Sequence, residues 1–137
     1  MMTDIVRKDV KDRLKNGDYN CSKELTLSMF SGKWKLVILF YLGTDGAYRF
    51  NELMRLLPKV THKVLTNQLR EMEEDELITR HVESGPRTKV TYEITALGQS
   101  LMPIANQMYE WGEKRIQELQ VTPQFSVNEE VSREAAK

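Results

Sequence analysis

Cysteine, histidine and proline are scarce in this chain of 137 residues, which holds one cysteine, two histidines and four prolines. The single Cys21 excludes an intrachain disulfide framework and a cysteine-rich zinc site. His62 and His81 do not complete a ligand set, so neither a structural metal nor a cofactor is expected. Long apolar runs are missing as well. No stretch approaches the roughly 20 apolar residues that span a bilayer. Met1 to Lys15 is charged throughout, where a signal peptide would carry an apolar core, and a cytoplasmic protein with no membrane partner is expected. Nor can a nucleophile, base and oxyanion set, a Gly-rich phosphate loop or a paired-carboxylate site be assembled, which speaks against an enzyme.

Charge of one sign is also lacking: 20 Lys and Arg balance 20 Asp and Glu. A uniformly basic nucleic-acid binder is thereby excluded, but the distribution is uneven. Arg49, Arg55, Lys59, Lys63 and Arg70 face a single acid, Glu52, between positions 49 and 70, and Glu71, Glu73, Glu74, Asp75 and Glu76 follow at once. Glu73 with Glu74 reads as a solvated face.

The length suits one compact domain with trimmings. Residues 1–20 read as a charged N-terminal helical extension, with Ile5, Val6, Val10 and Leu14 as a weak apolar stripe before the Asn16-Gly17-Asp18 break. Residues 21–120 form the domain proper, and residues 121–137 read as a flexible tail. Ser22 suits the cap of a helix to Phe30. Lys33 to Leu42 is apolar around its whole circumference, as a buried core helix is, and a Gly43 to Gly46 loop follows it. Phe50, Leu53, Met54 and Leu57 then mark an amphipathic helix that Pro58 stops.

Thr61 suits the cap of the next helix, which reaches about Asp75. At 100° per residue, His62, Lys63, Thr66, Asn67 and Arg70 share an arc of about 140°, with Val64, Leu65, Gln68, Leu69 and Met72 on the other side. Two helices joined by so short a turn make a helix-turn-helix. From Ile78 the period changes to two, and Val90, Tyr92 and Ile94 continue it past Ser84-Gly85-Pro86-Arg87, which predicts a hairpin with a basic tip. His81 on this hairpin is read as cross-strand packing.

Thr95 caps a last helix over 95–120, in which Leu97, Leu101, Ile104, Met108 and Trp111 repeat at spacings of a helix–helix seam, with a kink or restart at Pro103. The fold class is mainly α with a small β-hairpin (α+β), a winged helix-turn-helix.

A polar helix face of this composition matches the donors and acceptors in the major groove of double-stranded DNA. His62, Lys63, Thr66, Asn67 and Arg70 are the candidate base readers. Arg49, Lys59, Thr61, Arg87 and Lys89 are the candidates for phosphates, the last two on the wing. Cys21 lies beside a helix N-terminus with Lys23 nearby, a setting that favours thiolate over thiol, although a half-buried inert thiol is the plainer reading. A winged module that contacts protein or RNA is the alternative to sequence-specific DNA binding.

Gly32-Lys33-Trp34, Arg49-Phe50-Asn51-Glu52-Leu53, the run Leu65 to Glu73, Tyr92-Glu93-Ile94-Thr95 with Gly98, and Trp111-Gly112 recur in order behind the cysteine at the first core helix. From Cys21 to about Trp111 the chain resembles the HxlR-type winged-helix family of bacterial transcription regulators. The resemblance implies a homodimeric repressor or activator that dimerises through its N- and C-terminal helices, with Leu101, Ile104, Met108 and Trp111 as the expected dimer interface, and whose two recognition helices read a pseudo-palindromic operator. It also implies that Cys21 senses a small electrophile or oxidant effector such as a quinone, an aldehyde or hypochlorite. Any protein disulfide would then join Cys21 of both subunits. Three positions depart from the family: Ser22 stands where proline is common, Lys59 where glycine is usual, and Glu76 where glycine commonly ends the recognition helix. The last demands either a left-handed backbone or a different exit.

Overall fold

The structure, a computed structural model, describes residues 5–127. Its elements run α1 (Lys8–Lys15), α2 (Ser22–Phe30), α3 (Lys35–Asp45), β1 (Tyr48–Arg49), α4 (Phe50–Leu56), α5 (His62–Glu74), β2 (Ile78–Glu83), β3 (Lys89–Ile94), α6 (Ala96–Gln99) and α7 (Met102–Leu119). The three strands form one antiparallel sheet in the order β1-β3-β2.

Helix α3 is the centre of the core, with Ile38, Leu39, Tyr41 and Leu42 buried on it and Trp34 just before it. It runs on through Gly43 and Thr44, where the sequence suggested a loop. Gly43 serves helix packing: a Cβ there would lie 2.5 Å from Sδ of Met102 on α7. The turn proper is made by Gly46, whose φ of 94° a side chain would strain. The helix after the cysteine is entered one residue earlier than expected, with Cys21 and not Ser22 at the N-cap. The expected apolar stripe is only partly used, because Val10 of α1 is buried while Leu14 of α1 and Ile5, ahead of the helix, are exposed.

The exit from α5 settles the question raised by Glu76. Its φ is 56°, Glu76 N–H donates to the Glu73 carbonyl and Leu77 N–H to the Met72 carbonyl, at 2.9 and 3.0 Å. This is the paired bonding that a glycine usually closes; glutamate adopts it at a cost of about 1–2 kcal/mol. The hairpin that follows is in register from Ile78↔Ile94 to Glu83↔Lys89. Only its inner end is buried, at Ile78 and Tyr92, so its tip projects from the domain.

Thr95 Oγ1 accepts from Gly98 N–H at 3.0 Å and lies 2.6 Å from the Glu76 carbonyl, to which it donates, tying the start of α6 to the end of α5. Gly98 packs directly on the Leu77 carbonyl, where a Cβ has no room. The expected break at Pro103 is a restart: α6 stops at Gln99, and Pro103 occupies the first turn of α7. Of the expected tail, residues 121–125 are exposed and Val127 is partly buried against the core. The remainder, 128–137, lies outside the described residues, as do residues 1–4 of the expected extension.

Candidate nucleic-acid interface

Helix α5 is two-sided. Leu65, Leu69 and Met72 are buried beneath it, and His62, Lys63, Thr66, Asn67 and Arg70 are all exposed on the other side. Val64, expected among the apolar residues, is exposed instead, and Gln68 packs against Gly32. Thr61 caps the helix by accepting from Val64 N–H at 3.1 Å, which leaves its hydroxyl hydrogen available to an outside acceptor. The His62 ring lies on Phe50 with centroids 4.7 Å apart, so the first turn of α5 is braced by α4. Arg70 stands 3.8 Å from Glu74, a loose exposed pair worth less than about 1 kcal/mol.

Between α4, α5 and the wing lies an open cleft of about 490 Å³. It gathers Arg49, His62, Thr66 and Lys89 from the sequence-based set. It also gathers Arg55, which the sequence placed in the basic segment but not among the phosphate candidates, and Arg80, which sequence reasoning did not single out. Arg80 breaks the apolar alternation between Ile78 and Val82, and that was the available signal. The short strand β1 puts Arg49 there by pairing with Thr91 of β3, and Arg49 N–H donates to Glu52 Oε1 at 2.8 Å, starting α4. Lys59 is exposed in the turn before α5, and Arg87 is exposed at the hairpin tip, outside the cleft. The result is a groove walled by cations with a hydrogen-bonding helix face along one side, which fits a phosphate backbone flanking readable bases. His81, on the wing, is exposed beside Thr79 and Glu93.

Among the described residues no group of three or more His, Cys, Asp or Glu is placed to hold a metal ion. Cys21 is a free, exposed thiol, not a half-buried one, and makes no capping hydrogen bond. In the same turn the Asn20 backbone N–H, and then its side-chain amide, donate to Glu24 and hold that carboxyl below its ordinary range. Leu101, at the N-cap of α7, is partly buried against its own core, whereas Ile104, Met108 and Trp111 on α7 are exposed, Trp111 to 71%.

The model of the HxlR-like helix-turn-helix family matches residues 29–120. The chain belongs to this family. Among similar proteins, the uncharacterized HTH-type transcriptional regulator YybR of Bacillus subtilis (strain 168) is 48% identical over 68% of this chain and 74% of its own. YtcD of the same organism, also an HTH-type transcriptional regulator, is 46% identical over 82% of this chain and 87% of its own. Among solved structures, the redox regulator HypR in its reduced form superposes with a TM-score of 0.69 at 41% identity, over 73% of this chain and 98% of that one. Its oxidised form gives 0.65 at 44% identity, over 69% and 96%. The chain is thus an HxlR-type winged helix-turn-helix regulator of transcription that acts by binding DNA, not an enzyme. Among its described residues no single helix is long and apolar enough to cross a membrane.

Proposed function

We propose that this HxlR-like regulator works in the cytoplasm as a homodimer on a pseudo-palindromic operator, with α5 of each subunit in the major groove of one half-site. The observation that carries this reading is the two-sidedness of α5 beside a cationic cleft: its five exposed polar residues match base edges, and Arg49, Lys59, Arg87 and Lys89 flank them. Asn67 is suited to bidentate pairing with adenine, and Lys63 or Arg70 to guanine. Thr61 and the cations hold phosphates, and the wing reaches the neighbouring groove. Ile104, Met108 and Trp111 of the two α7 helices meet across the two-fold axis. Half-sites about one helical turn apart follow from that symmetry. Whether binding represses or activates is set by where the operator lies relative to the promoter.

Selection from random-sequence duplexes at physiological salt, with thiols reduced, tests the reading. A two-fold symmetric motif is expected; recovery of no motif rejects sequence-specific reading in favour of protein or RNA contact.

Cys21 is proposed as the effector site, on the strength of its exposure and of the likeness to a redox regulator. A quinone takes up the thiolate by conjugate addition: a C–S bond forms as a ring C=C π bond breaks, and the electron pair ends on a carbonyl oxygen that takes a proton from water, with no leaving group. Hypochlorous acid takes two electrons from sulfur, giving sulfenic acid and chloride; condensation with the partner's thiol then gives a disulfide and water. Cys21→Ser is expected to bind the operator as the wild type does and to keep that binding after hypochlorite or quinone treatment. A variant that still releases DNA under treatment removes Cys21 from the mechanism.

A further inference from the structure

Arg7 stands where a long cation is seldom found. It is 9% exposed, just ahead of α1, and before the segment that the family model matches. Its backbone N–H and its Nε each donate to Asp75, at 2.9 Å to one carboxylate oxygen and 2.9 Å to the other. One terminal nitrogen donates to the Ser28 carbonyl of α2 at 2.7 Å, and the other lies 3.5 Å from Glu71. Lys35 of α3, 1% exposed, brings Nζ to 2.7 Å from the remaining oxygen of Glu71.

Glu71 and Asp75 stand four residues apart at the C-terminal end of α5, where each carboxylate meets the negative end of the helix and the other's like charge. Asp75 is 1% exposed, so water does little to relieve either repulsion. Arg7 and Lys35 supply the two opposing charges, and Arg7 alone grips Asp75 from two sides. The residue after Asp75 is the left-handed Glu76, and the wing begins two residues later. Whatever holds Asp75 therefore also holds the angle between the base-reading helix and the wing.

We propose that Arg7 is a positioning residue for DNA reading. By clamping Asp75 and Glu71 it locks the last turn of α5 and sets α5 and the wing at the angle that the operator requires. The N-terminal segment thus takes part in operator binding without touching DNA, and α2, the helix that Cys21 begins, is tied into the same clamp through Ser28. This role rests on the major-groove reading above.

The test uses Arg7→Ala and Arg7→Lys in the full chain. Amide hydrogen exchange of the free protein should speed up about tenfold or more across residues 70–77 in Arg7→Ala, with α3 unchanged and Arg7→Lys between the two. On the operator recovered by selection, Arg7→Ala should lose about tenfold in affinity while its binding to random-sequence duplex changes less than about twofold. Rescue of most of that loss by Arg7→Lys is expected, because it keeps the buried positive charge. Unchanged exchange at 70–77, or a wild-type ratio of operator to random-sequence binding, overturns the proposal. Should Arg7→Ala not accumulate as folded protein, Asp75→Asn, which removes the charge that Arg7 grips, carries the test with the same expected direction. A wild-type chain without operator preference overturns the major-groove reading and this role with it, and the exchange rates then show separately whether the clamp exists.

Discussion

The exposed face of α5 carries His62, Lys63, Thr66, Asn67 and Arg70, whereas the exposed face of α7 carries Ile104, Met108 and Trp111. Both are amphipathic helices resting on one core, and both turn large side chains to water. What differs is the surface each would accept. A face of amides, hydroxyls and cations loses little in water and gains from a charged groove that returns its hydrogen bonds. A cluster of sulfur, indole and branched carbon gains by leaving water against more of the same. Exposure alone is thus no guide to function; it is the chemistry exposed that supports proposing a polyanion for α5 and a second copy for α7.

That contrast can be broken at several points. Trp111→Glu places a charge in the proposed seam while touching little of its own subunit, and is expected to yield monomers and to weaken operator binding by about a hundredfold or more. Sedimentation shows which: an unaltered dimer places the interface elsewhere. Asn67→Ala is expected to weaken the operator by about 1–3 kcal/mol with random-sequence binding nearly unchanged. Equal losses on both duplexes, in a fluorescence titration, would remove Asn67 from base reading. The smallest effect is expected at the hairpin tip, where Arg87→Ala should weaken both duplexes alike and lower the salt slope by about one unit. An unchanged slope would take the wing tip off the phosphates.

Much of the α5 site was legible because it depends on spacing within a few residues. The face of His62, Lys63, Thr66, Asn67 and Arg70 follows from 3.6 residues per turn, and the Thr61 cap from the run it precedes. Val64 broke the pattern, since a periodic arc does not tell where the covering layer ends. Spacing likewise did not tell that Leu101, at the turn between α6 and α7, is partly buried against its own core. The contribution of Arg80 to the cleft depended on the hairpin's register and on a two-residue strand, β1, too short to leave a period.

The sequence by itself determined the order of the long helices and the hairpin, the caps at Thr61 and Thr95, and most of the apolar and polar faces of the helices, because each is set by hydrogen bonding and side-chain direction over one or two turns. It also showed an acidic run after the basic one, and there local reasoning stopped. Solvated carboxylates and clamped ones look alike along the chain. Only the tertiary structure separated exposed Glu73 and Glu74 from Glu71 and Asp75, which meet Arg7 and Lys35 across up to 68 residues of sequence. A buried charge must find its counter-charge wherever the fold brings one, and that pairing has no period to read.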